Sequence, residues 1–208
     1  ALMQIASGIP AEQAGGCDEF SNGNGSLMRI LPVSLSFVNE PLPMRSDRLE
    51  RTSSITHGHP RSKMACAFHG FVTRQLLLGG QLQAALETAR IEFTGCYERT
   101  SEFGRFKHVL NDDLVSLPEG EVVSTGYVLH TLPASLWCLL TTSSFEECVL
   151  KAVNLGGDTD TTGCVAGGLA GVHYGFSAIP EKWIHALARR GDVEALFNDF
   201  TRLTESNQ

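Results

Sequence analysis

The chain predicts an all-α fold, and three observations carry that expectation. Apolar residues recur at three- and four-residue spacing in segment after segment, which is the period of one helix face. Helix start and stop signals bracket those segments. Strand signals are scarce, and only Ile30 to Val38 is ambiguous, because its apolar residues partly alternate. At 208 residues the chain can bury roughly 70% of its unfolded surface in one core. No internal repeat or low-complexity linker divides it, so a compact orthogonal multi-helix domain over residues 1–208 is expected.

The elements follow in order. The chain opens Ala1-Leu2-Met3-Gln4 without an initiator methionine and reads as a fragment or a processed piece that begins inside a structural element. Pro60 suits the first turn of a helix, with Met64, Phe68, Phe71, Val72 and Leu76 on one side. After the Gly79-Gly80 break, Leu82, Ala85, Leu86, Ala89 and Phe93 mark a second helix. Thr131 and Pro133 are expected to open a third, containing Leu136, Trp137, Leu139 and Leu140. Ser143 with Glu146, and Ser144 with Glu147, form overlapping capping boxes. Phe145, Val149 and Val153 then share one face of a helix that should stop at Gly156-Gly157.

Gly163, Gly167, Gly171 and Gly175 follow at every fourth residue, a ridge along one side of the next helix. Each interior glycine costs about 1 kcal/mol against alanine. The ridge therefore predicts very close approach of another backbone and a helix central to the fold. Glu181 opens, and Arg189-Arg190 close, a helix holding Trp183, Ile184 and Leu187, a charge order that suits the helix dipole. Asp192 is expected to cap the last helix, with Val193, Leu196, Phe197 and Phe200 inside.

Composition excludes several function classes. A net charge of −7 without a Lys/Arg cluster argues against a nucleic-acid partner. Gly163 to Ile179 is uncharged but shorter than a membrane span and contains His173, Tyr174 and Ser177, so no membrane association is expected. The six cysteines, at 17, 66, 96, 138, 148 and 164, form no C-x-x-C pair and no zinc spacing. They read as thiols in a reducing cytoplasm, and no signal peptide or lipidation motif is seen.

Three clusters carry chemistry. In Asn154 to Gly163 (NLGGDTDTTG), Asp158 and Asp160 alternate with Thr159 and Thr161. Two carboxylates and a hydroxyl can converge there on a hard cation such as Mg²⁺, or the segment is an Asx-turn or helix cap without metal. In Ser21 to Arg29 (SNGNGSLMR), a glycine-rich loop entering a helix can present backbone N–H groups to a phosphate, or form a type I′ turn. In Thr56 to Pro60 (THGHP), His57 and His59 could bind metal, His57 could bond a phosphate or ribose, or the segment is a polar loop.

Together and in this order, these clusters resemble the ADP-ribosylglycohydrolase family, close to its dinitrogenase-reductase-activating type. The resemblance runs through Asn22 to Pro32, Thr56 to Arg61, Ser124 to Leu132 (STGYVLHTL), Leu136 to Gly171 and Ala178 to Arg190. It implies an all-α fold around two Mg²⁺ ions, with Mn²⁺ as the alternative, that hold the ribose beside the scissile bond. By position Asp158, Asp160 and Thr161 would be metal ligands. The amides of Gly25, Ser26, Leu27 and Met28, next to Asn24, would cradle the diphosphate of ADP-ribose, with His57 nearby, and Tyr127 would line the pocket.

The implied function is Mg-dependent hydrolysis of the glycosidic bond between ADP-ribose and a protein side chain, arginine first, or a related ADP-ribosyl compound. Such a reaction builds oxocarbenium-like charge at the anomeric carbon, and binding energy from the remote ADP part can be applied there.

Two departures shape the expectation. The family's N-terminal Thr-Asp-Asp cluster, which supplies the other face of the metal site, has no counterpart here. Asn111-Asp112-Asp113 sits in an expected loop and is set aside. No catalytic residue is assigned, although Asp18 and Glu19 are the nearby carboxylates, with Ser21 three before Asn24. The absent residues would come from a missing N-terminal segment or a second chain. The alternative is a non-catalytic ADP-ribose-binding or structural relative that has lost half of the metal site. Without that segment the chain is expected to be inactive or very weak, to expose apolar helix faces and to self-associate.

Overall fold

The structure, a computed structural model, describes residues 1–111 and 114–205. It is all-α, with no strand among the described residues. The helices are α1 (Leu2–Ala6), α2 (Leu31–Ser36), α3 (Leu42–Ser54), α4 (Pro60–Leu77), α5 (Leu82–Tyr97), α6 (Lys107–Leu110), α7 (Val128–Leu140), α8 (Phe145–Asn154), α9 (Thr159–Tyr174), α10 (Glu181–Ala186) and α11 (Arg190–Glu205). The ambiguous stretch after Ile30 is helical, as α2. Asp112 and Asp113 lie outside the described residues.

The central helix is α4. Its Met64, Phe68, Phe71, Val72 and Leu76 are all buried, and it packs against α2, α3, α5, α7 and α9. Its N-cap is His59, whose side chain accepts the Arg61 amide at 3.2 Å, and Pro60 stands in the first turn, where no intrahelical N–H is needed. Phe93 of α5 meets Phe68, Tyr97, Phe103 and Phe106, with ring centroids 4.8 to 6.0 Å apart. α9, expected to be central to the fold, packs against α4, α7, α8 and residues 24–29.

The glycine ridge of α9 receives side chains, where close approach of another backbone was expected. A Cβ on Gly163 would stand 2.8 Å from Val153, one on Gly167 3.3 Å from Val149, and one on Gly171 3.8 Å from Phe145. These three residues are the apolar face of α8. The two helices are therefore fitted by removing side chains from one face and keeping them on the other. Gly175 lies beyond the ridge at φ +82°, ending the helix.

Three boundaries differ from expectation. α7 begins at Val128, so Pro133 lies inside it. Of the two capping boxes, Ser144 is the N-cap, accepting Glu147 N–H at 3.2 Å. The Glu147 carboxylate returns to the amide and hydroxyl of Ser143, each at 2.9 Å. At the end, Arg190 opens α11 instead of closing α10, and Asp192 sits in the first turn bonded by Arg189. α3 escaped the sequence reading because its buried face is Arg45, Leu49, Ser53 and Ser54, which carries almost no hydrophobic period. Arg45 donates there to Glu92 and to the Glu40 carbonyl, both at 3.0 Å, and lies over the Phe71 ring.

Candidate functional site

The site is assembled where three segments without regular secondary structure meet above α4, α7 and α9. Residues 24–29 form a single 3₁₀ stretch that starts after Gly23. Gly23 bridges antiparallel to Tyr127, with Asn24 N–H donating to Gly126 C=O and Val128 N–H to Asn22 C=O, both at 3.0 Å. Neither Gly23 nor Gly25 has positive φ, so the type I′ turn does not form. These glycines serve a different purpose: a Cβ on either would come within 3.2 Å or 3.0 Å of the His57 ring. In such a turn the first amides have no partner inside it. That of Asn24 goes to Gly126, and Gly25's is next along the chain.

A hydrogen-bond chain reaches the His57 ring. Arg29 donates to the Thr56 hydroxyl, whose oxygen lies 2.7 Å from His57 Nδ1. The far edge of the ring, Nε2 and Cε1, faces Gly23 and Gly25. Burial, with the Arg29 charge second, pushes the His57 imidazolium below its ordinary value. His59, by contrast, caps α4 through Nδ1 and turns Nε2 toward Glu19, 3.7 Å away.

The acidic loop is set at the start of α9. Gly156 and Gly157 have φ of +80° and +68°. A Cβ on Gly157 would overlap the Ser124 carbonyl oxygen, which accepts Asp158 N–H at 2.9 Å. Ser124 and Thr162 join their hydroxyls at 2.6 Å beneath. Asp158 Oδ2 accepts Asn24 Nδ2–H at 2.7 Å, while the same amide donates to Thr131 Oγ1 at 2.8 Å. That bond is the main reason the Asp158 carboxyl is held below the usual range; burial opposes it, and the Thr161 hydroxyl and Asp160 act with it. Asp160 Oδ1 accepts Thr161 N–H at 2.9 Å.

Thr161 Oγ1 donates to the Met28 thioether at 3.6 Å, and Met28 C=O accepts Cys164 S–H at 3.7 Å. The glycine loop thus touches the acidic loop at both ends, Asn24 on Asp158 and Met28 on Thr161. Ser26 and Leu27 are buried beneath, with Ser26 Oγ accepting from Ser53 at 3.0 Å.

Asp158, Asp160 and Thr161 offer only oxygen atoms as ligands. That chemistry suits Mg²⁺ or Mn²⁺, which take about six oxygen ligands. Among the described residues no group of three His, Cys, Asp or Glu is arranged for a metal. The donor set therefore fits one side of such a site.

The two upstream carboxylates are engaged elsewhere. Asp18 accepts from Phe20 N–H and the Ser21 hydroxyl, and Glu19 is gripped by Arg61 at 2.7 and 3.0 Å. These bonds lower both carboxyls below their ordinary values. Sequence reasoning missed Arg61, Ser124, Thr131 and Thr162, whose partners are remote in sequence and whose residue types are common in any loop or helix.

The fold is that of the ADP-ribosylglycohydrolase family, and the chain belongs to that family: the family model for ADP-ribosylglycohydrolase matches residues 1–208. Among its relatives, the ADP-ribosyl-[dinitrogen reductase] glycohydrolase of Rhodospirillum rubrum is 33% identical over 172 residues, covering 83% of this chain and 53% of that protein. An ADP-ribosylarginine hydrolase of Serratia proteamaculans is 29% identical over 174 residues, 84% of this chain and 45% of that protein. A solved structure of an ADP-ribosylglycohydrolase-related protein complex superposes with a TM-score of 0.82 at 34% identity, covering 98% of this chain and 66% of that one. The chain spans about half the length of these two relatives.

Proposed function

We propose that this chain carries the substrate-holding part of an Mg²⁺-dependent hydrolase that cleaves the glycosidic bond between ADP-ribose and a protein side chain, arginine first. The observation that carries this reading is the double contact between the glycine loop and the acidic loop, Asn24 to Asp158 and Met28 to Thr161. It makes one surface of what are otherwise two separate motifs.

Asp158, Asp160 and Thr161 would hold the cation, which when bound supplies Lewis-acid polarisation and orientation of ribose oxygens. The other steps fall to the chain itself. Asn24 keeps Asp158 ionised and fixed in direction. The Gly25 amide would donate to the diphosphate, with the His57 ring beside it and Tyr127 lining the adjoining wall. Anchoring the ADP half in this way positions the ribose at the reacting bond and applies remote binding energy there.

The second reading is a non-catalytic ADP-ribose binder. It is favoured by the presence of only two acidic ligands at the metal loop. Calorimetric titration of ADP-ribose, with and without Mg²⁺, separates the readings from simple loss of the site. Binding that strengthens with Mg²⁺ and disappears in Asp158→Ala/Asp160→Ala is the expected result. Hydrolysis of ADP-ribosylated arginine by a longer form carrying an N-terminal segment would then select the enzyme over the binder. No binding under either condition would sink both for this chain.

A further inference from the structure

Arg61 is the second residue of α4 and its side chain is 5% exposed. Its guanidinium reaches three other segments at once. Nη1 and Nη2 donate to Glu19 Oε1 and Oε2 at 2.7 and 3.0 Å, Nε donates to Glu102, and Nη1 lies 3.4 Å from the Tyr127 phenol oxygen. Two of these partners lead back to the glycine loop by independent routes. Glu19 C=O accepts the Asn22 side-chain amide at 2.9 Å. Tyr127 is the bridge partner of Gly23 and is flanked by the bonds from Asn24 N–H to Gly126 and from Val128 N–H to Asn22. Asn24, in turn, bonds Asp158.

We propose that Arg61 is a positioning residue for the ADP-ribose site, holding Tyr127 and the Glu19 segment so that the glycine loop keeps its place against the acidic loop. It acts on the ligand only through them. The inference rests on the ADP-ribose reading above. A guanidinium has five N–H donors in a rigid planar fork, which is why one arginine can serve three segments where a lysine, a single point charge, cannot. An arginine with a purely structural role would satisfy Glu19 and Glu102 without needing the phenol. The contact with Tyr127 is what links it to the site.

Two measurements test this. In protein labelled with 3-fluorotyrosine, the three tyrosines, Tyr97, Tyr127 and Tyr174, give separate ¹⁹F resonances, that of Tyr127 being assigned by its loss in Tyr127→Phe. Arg61→Lys, which keeps the charge among the carboxylates, should shift and broaden the Tyr127 signal and leave the other two in place. An unmoved Tyr127 signal would overturn the proposal.

The second measurement is ADP-ribose affinity with Mg²⁺ present for wild type, Arg61→Lys, Tyr127→Phe and the double variant. Arg61→Lys should bind about tenfold more weakly, the scale of one misplaced charged hydrogen bond, and the double variant no more weakly than Arg61→Lys. Losses that multiply, or an Arg61→Lys affinity equal to wild type, would overturn it. A wild-type chain that takes up no ADP-ribose defeats the functional reading alone, and the fluorine measurement still decides whether Arg61 holds Tyr127.

Discussion

Asn24 has one amide and two acceptors, Asp158 and Thr131, at 2.7 and 2.8 Å. Its neighbours in the NGNG segment could be read from sequence as a phosphate loop, but this role could not. Its carboxylate partner lies 134 positions away, and no spacing rule couples residues so distant. Replacing Asn24 by Ala removes the main cause of the lowered Asp158 pKa. Stability should fall by about 1–3 kcal/mol, the cost of leaving hydrogen-bonded groups without a partner, and Mg²⁺ affinity should fall with it. Urea denaturation and Mg²⁺ titration of the variant check both, and an unchanged midpoint with unchanged metal affinity would show that the bond is incidental. The histidines make the same point. His57 and His59 are chemically identical and two residues apart, yet one faces the glycine loop and the other caps a helix.

At the scale of elements, the turn between α8 and α9 gives a matched pair of glycines. Both have positive φ, but a Cβ on Gly156 meets nothing within 4 Å, whereas one on Gly157 overlaps the Ser124 carbonyl. Gly156→Ala should cost about 1–2 kcal/mol, the left-handed penalty alone. Gly157→Ala should cost clearly more and displace Asp158, because backbone has no alternative rotamer. Thermal melts of the two variants test this, and equal losses would contradict the packing argument. The glycine turn, the Ser144 cap and the main helices were legible because they are local, set by period and by cap chemistry. α3 was not, because a buried arginine and serines replace its apolar stripe. The close of α10 was misplaced because Arg189-Arg190 suits the end of one helix as well as the start of the next.

Two predictions belong to the whole molecule. His69 is buried in α4 beside Thr73, and burial pushes its imidazolium from 6.5 down to about 4. Between those values the unfolded chain binds a proton that the native state refuses. The contribution of a neutral His69 is therefore complete above pH 6.5 and is lost as pH falls toward 4, at roughly 1.4 kcal/mol per unit. His69→Leu should flatten that part of the stability profile in urea melts between pH 7 and 5, and parallel profiles would refute the assignment. The second prediction concerns association. Leu196, Phe197 and Leu203 of α11 are 65%, 60% and 64% exposed, and Leu2 and Met3 of α1 more so. The isolated chain should self-associate, and Leu196→Glu/Phe197→Glu should reduce this without lowering the melting temperature. Light scattering that finds a concentration-independent wild-type monomer would show the prediction wrong.

By itself the sequence determined the all-α class, the positions of the principal helices and the identity of the acidic and glycine loops, since each depends on neighbours within a turn or two of chain. Tertiary structure alone decided that α4 is the centre, that the α9 ridge accepts the side chains of α8, that Asn24 and Met28 meet Asp158 and Thr161, and that Arg61 joins three segments. Those outcomes depend on which surfaces come together after the helices pack. The physical reason is range. Backbone hydrogen bonds and caps act between near neighbours in the chain, whereas side-chain contacts across the core depend on the positions of every helix at once.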